Sequence, residues 1–164
     1  MNARSIARFG VLAAAAILIG YVEHIIPIVP AMPGIKLGLS NVAVLFALYF
    51  ISWKSALALV VVKVLLSGML FTGPVAMIYA FSGGLLSLLV MALSKRFLGA
   101  GTVGVSVIGA AAHNIAQCAV ACLFIRPIAA IRLLPLLLIA GTAAGILTGF
   151  IAKATLKAFK YKQK

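Results

Sequence analysis

Twenty consecutive residues, Pro74 to Leu93, carry no charge. At 1.5 Å per residue that is the length an α-helix needs to cross the hydrocarbon core of a bilayer. The run is one of a series. Phe9–Val22, Leu37–Trp53, Ala56–Phe71, Val105–Ile125 and Leu133–Ala152 are apolar in the same way, and Lys63 is the one lysine inside them. The connections are short and rich in proline, glycine or basic residues: Pro27–Gly34, Lys54–Ser55, Thr72–Gly73–Pro74, Ser94–Gly104 and Arg126–Arg132. Proline cannot continue a helix, so Pro27, Pro30 and Pro33 predict a rigid loop or re-entrant turn before the second run. The pattern predicts an all-α, polytopic membrane protein: a single domain over 1–164, a six-transmembrane-helix bundle, with 153–164 as a basic tail.

Arg4 and Arg8 ahead of an apolar run also describe a signal peptide. Here the chain stays apolar through IIPIVP and then supplies further runs, so Phe9–Val22 reads as the first span. Its Gly10–Ala14 and Ala16–Gly20 pairs let a second helix approach closely, either within the bundle or from a partner.

The chain holds 14 Lys and Arg against one acidic residue, Glu23. Without a second carboxylate side chain, paired-carboxylate catalysis and acidic Mg²⁺ clusters are excluded. No aspartate exists to complete a Ser–His–Asp triad. The basic residues fall between apolar runs rather than along a solvated face, which points away from nucleic acid and toward the membrane. With the N-terminus inside, the cytoplasmic side carries Arg4, Arg8, Lys54, Lys95, Arg96 and the five lysines of the tail, and the outside only Lys36, Arg126 and Arg132. That asymmetry predicts both termini cytoplasmic, and it predicts tail lysines lying against anionic headgroups.

Polar groups inside the runs are the candidates for function, because each costs energy where it stands. Lys63 lies near the middle of its run, roughly 12 Å from either interface and too deep to snorkel fully. Inserting it costs about 2.5–3.5 kcal/mol, so it pairs with Glu23 or faces a cavity or ligand. His113, Asn114 and Gln117 are spaced three and four apart and are expected on one helix face, as a ligand surface or as interhelical hydrogen bonds. The proline-broken loop delivers Lys36, Ser40 and Asn41 to the mouth of an apolar helix. Two histidines, His24 and His113, without a thiolate at ligand spacing make no metal site. Cys118 and Cys122 read as small packing residues. Gly99–Gly104 matches GxGxxG without a strand before it and reads as a linker. Together the cationic candidates suit a ligand with anionic or electron-rich groups.

PGIKLGLSNV (33–42) and AHNIAQ (112–117) resemble the family labelled heptaprenyl diphosphate synthase component I, also called the Gx transporter family. That family in turn is similar to the substrate-binding S components of energy-coupling factor (ECF) transporters. The resemblance implies a multi-pass protein of the bacterial cell membrane that captures a vitamin or cofactor precursor at the outer face. It implies a site under the loop between the first two helices, mapped onto 33–41, Tyr79, His113, Asn114, Gln117 and Arg126 or Arg132. It also implies a transmembrane coupling subunit with ATPase subunits as partners, docked on Gly10, Ala13, Ala14 and Ala16. The aspartate-rich diphosphate motifs of a prenyl synthase are absent, so the chain is expected not to be an enzyme. A membrane scaffold for such a synthase, and an autonomous small transporter, are the competing expectations.

Overall fold

The computed structural model describes residues 3–26, 36, 38–124 and 127–161. Among these, every regular element is helical: α1 (Ala3–Ile25), α2 (Asn41–Phe50), α3 (Trp53–Ser67), a π-helical turn (Gly68–Thr72), α4 (Gly73–Phe97), α5 (Thr102–Phe124) and α6 (Pro127–Tyr161). Large apolar side chains face outward while several polar ones are buried. Val11, Leu18, Leu123 and Ile139 are 66–79% exposed, whereas Glu23, Lys63, His113, Asn114 and Gln117 are each under 9% exposed. Apolar side chains outside and polar ones inside are what a lipid solvent selects. Four helical runs are long and apolar enough to cross a membrane: Ser5–Ile25, Trp53–Phe97, Thr102–Phe124 and Ala130–Ala158.

The expected count of six spanning helices does not hold. The 45-residue run Trp53–Phe97 is helical without a gap, yet it doubles back. Gly73 takes φ 80°, a left-handed value that glycine adopts at no steric cost. Beyond it, Met77 lies against Gly68, and Gly84 against Val60, so α3 and α4 form an antiparallel hairpin. The turn expected at Thr72–Gly73–Pro74 is therefore this hairpin's apex.

The helix expected over 37–53 is shorter. α2 has ten residues, about 15 Å, half of what a span needs. Isolated helices this short are marginal, because nucleation is costly. α2 is held instead at both ends by charges from other helices. At its N-terminus the Glu23 carboxylate, from α1, accepts the N–H groups of Gly38, Leu39 and Ser40 at 2.9, 3.0 and 3.3 Å. At its C-terminus Lys95, from α4, donates to Leu48 O at 2.9 Å and lies 4.2 Å from the Tyr49 ring centroid. An anion at the positive end and a cation at the negative end both oppose the helix dipole. Ser40 makes no side-chain cap of its own. The loop expected at Pro27–Gly34 lies outside the described residues.

α5 and α6 make the closest pairing. A Cβ on Gly145 would meet Val107 Cα at 2.9 Å and one on Gly149 would meet Val103 Cα at 2.7 Å, so the two backbones touch where glycine repeats every fourth residue. α6 begins earlier than expected, at Pro127, runs through Pro135, and extends into the basic tail. Proline inside a membrane helix is tolerated when the surroundings re-satisfy the freed carbonyl. Arg8 of α1, Phe50 of α2 and Thr155 of α6 line one apolar groove of about 450 Å³, so the two ends of the chain share a face.

Candidate functional site

α5 is centred on His113 and the α3–π run on Lys63, so both side chains stand at mid-depth of the bundle. The break before α2 brings Ser40 and Asn41 to the same depth. Lys63 Nζ donates to Asn41 Oδ1 at 2.5 Å and to Ser40 Oγ at 3.2 Å. Asn41 Nδ2 pairs with His113 Nδ1 at 3.0 Å. If the amide donates there, His113 carries its proton on Nε2. Three elements thus meet in one chain of hydrogen bonds, Lys63–Asn41–His113. The imidazole fits because α4 presents Gly83 to it: a Cβ at Gly83 would meet the ring at 2.6 Å.

One turn further along α5, Gln117 Oε1 accepts the N–H of Lys36 at 3.1 Å. The Lys36 ammonium lies 5.7 Å from the Phe71 ring centroid. Burial holds its pKa below the ordinary lysine value, while Glu23 pulls the other way. Glu23, Lys36, Ser40, Lys63, His113 and Gln117 line one cavity of about 30 Å³, room for a water or two and not for a vitamin. In this conformation the site is closed, with Lys36, Gly38 and Ser40 in its wall.

The structure thus gathers Lys36, Ser40, Asn41, Lys63, His113 and Gln117, from the list expected on sequence, at one place. Other expected residues stand elsewhere. Asn114 is buried but turned onto α6, donating to Leu137 O at 2.7 Å; adjacent residues on a helix point 100° apart, so it cannot share the aim of His113. Tyr79 packs with Cys118, Ala121, Ala130 and Leu137 in an apolar cluster. Arg126 lies outside the described residues, and Arg132 is exposed on α6. Of the small residues on α1, Ala13 and Ala16 are buried in the bundle's own core, because they lie one turn apart on its inward face. Gly10 and Ala14 remain exposed.

The pair Lys63–Glu23, one of two expectations for Lys63, is not made: Glu23 holds backbone N–H groups and Lys63 holds neutral oxygens. Glu23 itself is the site residue that sequence reasoning did not include. Its signal was available, since a lone carboxylate in so basic a chain has to meet donors when buried.

A second, smaller polar space lies on the other side of Asn41, lined by Ser87, Ser106 and Thr148. Ser106 and Thr148 hydroxyls pair at 2.9 Å, while the buried Ser87 Oγ has no partner among the described residues. Removing an unsatisfied hydroxyl removes a penalty, so Ser87→Ala is expected to stabilise the detergent-solubilised protein by about 1 kcal/mol. A lower melting temperature would mean that Ser87 is bonded in solution.

A family model described as heptaprenyl diphosphate synthase component I matches residues 12–155. No curated protein and no solved structure matches the chain.

Proposed function

The chain belongs to the heptaprenyl diphosphate synthase component I family, and on that premise we propose that it is the substrate-binding membrane subunit of an energy-coupling-factor-type importer. Its ligand is a small molecule of the vitamin or cofactor-precursor kind, captured from the outer face. The observation that carries this reading is the convergence of Lys36, Lys63, His113 and Gln117 on one cavity inside an otherwise apolar bundle, with Asn41 joining Lys63 to His113 beside it. Intramembrane polar groups are expensive, and ligand pathways are where such groups concentrate. The shared face of Arg8 and Thr155 is the cytoplasmic one, by the excess of basic residues there, so Glu23 and Lys36 lie toward the outside. By the same rule both termini face the cytoplasm.

The chain binds rather than catalyses. Its single carboxylate side chain is engaged by three main-chain N–H groups, so the site has no pair of carboxylates for acid–base work. Gly10 and Ala14, exposed on α1, offer the coupling subunit a close approach.

Native mass spectrometry of the purified protein, followed by organic extraction, tests the reading. A co-purifying small molecule is expected, and His113→Ala is expected to reduce its occupancy at least tenfold, the equivalent of one lost hydrogen bond of about 1.4 kcal/mol. Protein that is empty, and that takes up nothing from growth-medium extract, would sink the proposal.

A further inference from the structure

We propose that the N–H groups of Gly38, Leu39 and Ser40 are an anion seat that Glu23 occupies as a resident stand-in, and that the ligand's own acidic group, a carboxylate or a phosphate, takes the seat by displacing it. The inference rests on the binding-subunit reading and adds to it the chemical class of what binds and the group it exchanges with.

Three observations carry it. Both oxygens of Glu23 are engaged by consecutive main-chain N–H groups, reached from another helix across 15–17 residues of sequence. A row of N–H groups at a helix start suits any carboxylate or phosphate as well as this one. Two ammonium groups, Lys36 and Lys63, line the same cavity as this one carboxylate, which leaves the cavity with a net positive charge. Lys63 is 6% exposed, and among the described residues its Nζ donates to the neutral Ser40 Oγ and Asn41 Oδ1, with Glu23 acting on it only across the cavity. One carboxylate shared between two buried ammonium groups leaves a positive charge unbalanced, which is costly, and a second anion is what removes that cost.

The geometry also gives the exchange a consequence. Glu23 stands in the last turn of α1 and is the side chain that ties α1 to the start of α2. An incoming anion takes over the seat and frees that tie, so occupancy of the site alters how the end of α1 is held. It also requires the cavity wall at Lys36, Gly38 and Ser40 to shift, which the 30 Å³ cavity demands of any ligand.

Thermal melting of the detergent-solubilised protein tests the seat with sodium formate, acetate and phosphate as probes, against chloride at equal ionic strength. Glu23→Ala is expected to melt roughly 5 °C lower than the parent and to regain most of that loss in formate or acetate but not in chloride. The parent, its seat filled, is expected to respond little. Glu23→Gln keeps the shape without the charge and is expected to gain stability from the same anions; it decides the matter if Glu23→Ala yields no folded protein. Adding Lys63→Met should abolish the rescue. Rescue by phosphate alone would assign the acidic group to a phosphate. Variants that melt identically in formate, phosphate and chloride would overturn the seat. A co-purifying ligand without an acidic group would overturn the exchange and leave the binding-subunit reading standing; an empty protein with anion-rescued Glu23→Ala would do the reverse.

Discussion

Gly149→Val is expected to be among the most damaging single substitutions in this chain, costing about 3 kcal/mol and unfolding the α5–α6 half first. Even a bare Cβ there would sit 2.7 Å from Val103 Cα and 3.0 Å from Ser106 Cβ. The first of these is backbone, which cannot rotate away as a side chain can. In lipid no hydrophobic effect holds two helices together, so close backbone packing is most of what they gain, and a valine forfeits it. Melting followed by size-exclusion chromatography reads the loss. The control is Gly10→Val on α1, where a Cβ meets nothing within 4 Å, and that variant should melt like the parent. Equal melting of Gly149→Val and Gly10→Val would mean that α5 and α6 do not touch there.

The second large effect is a split between stability and binding at the mid-depth chain of hydrogen bonds. Asn41→Leu removes the group that joins Lys63 to His113 and leaves a buried ammonium with a single hydroxyl partner. Losing a hydrogen bond to a buried charge in this way costs about 1.5–3 kcal/mol. Lys63→Met removes the charge itself, and with it the penalty of burying it, so it is expected to melt at or above the parent temperature. If Lys63 serves the ligand, the same variant loses at least tenfold in retained ligand, about 1.4 kcal/mol. A Lys63→Met protein that is both unstable and ligand-free would show the lysine to be structural. One that is stable and still loaded would remove it from the site.

How much of this was legible in the sequence differs from residue to residue. Lys36, Ser40, Asn41, Lys63, His113 and Gln117 point to one site because polar groups inside apolar runs stand out without any structure, and they do meet, Asn41 through its hydrogen bonds to Lys63 and His113. Spacing also places Asn114 with them, because it bounds a helix face but does not choose between neighbours 100° apart. The small residues of α1 drew attention as a docking stripe, whereas the tighter repeat, Gly141, Gly145 and Gly149, lies in α6. Both patterns satisfy the same rule, and only the partner helix distinguishes them.

The sequence by itself determined the class of protein: an all-α bundle in a membrane, with its polar chemistry inside. Hydropathy is a sum over local side chains, and runs of bilayer length leave the backbone no other way to satisfy its hydrogen bonds. Tertiary structure alone decided that the second apolar run breaks into a ten-residue helix, that Gly73 folds α3 back onto α4, and that Glu23 meets a backbone rather than Lys63. The reason is the same in each case. The partners of these groups are distant in sequence, and several are main-chain N–H groups. Every residue but proline carries one, so no pattern of residue types marks the three that will meet a carboxylate.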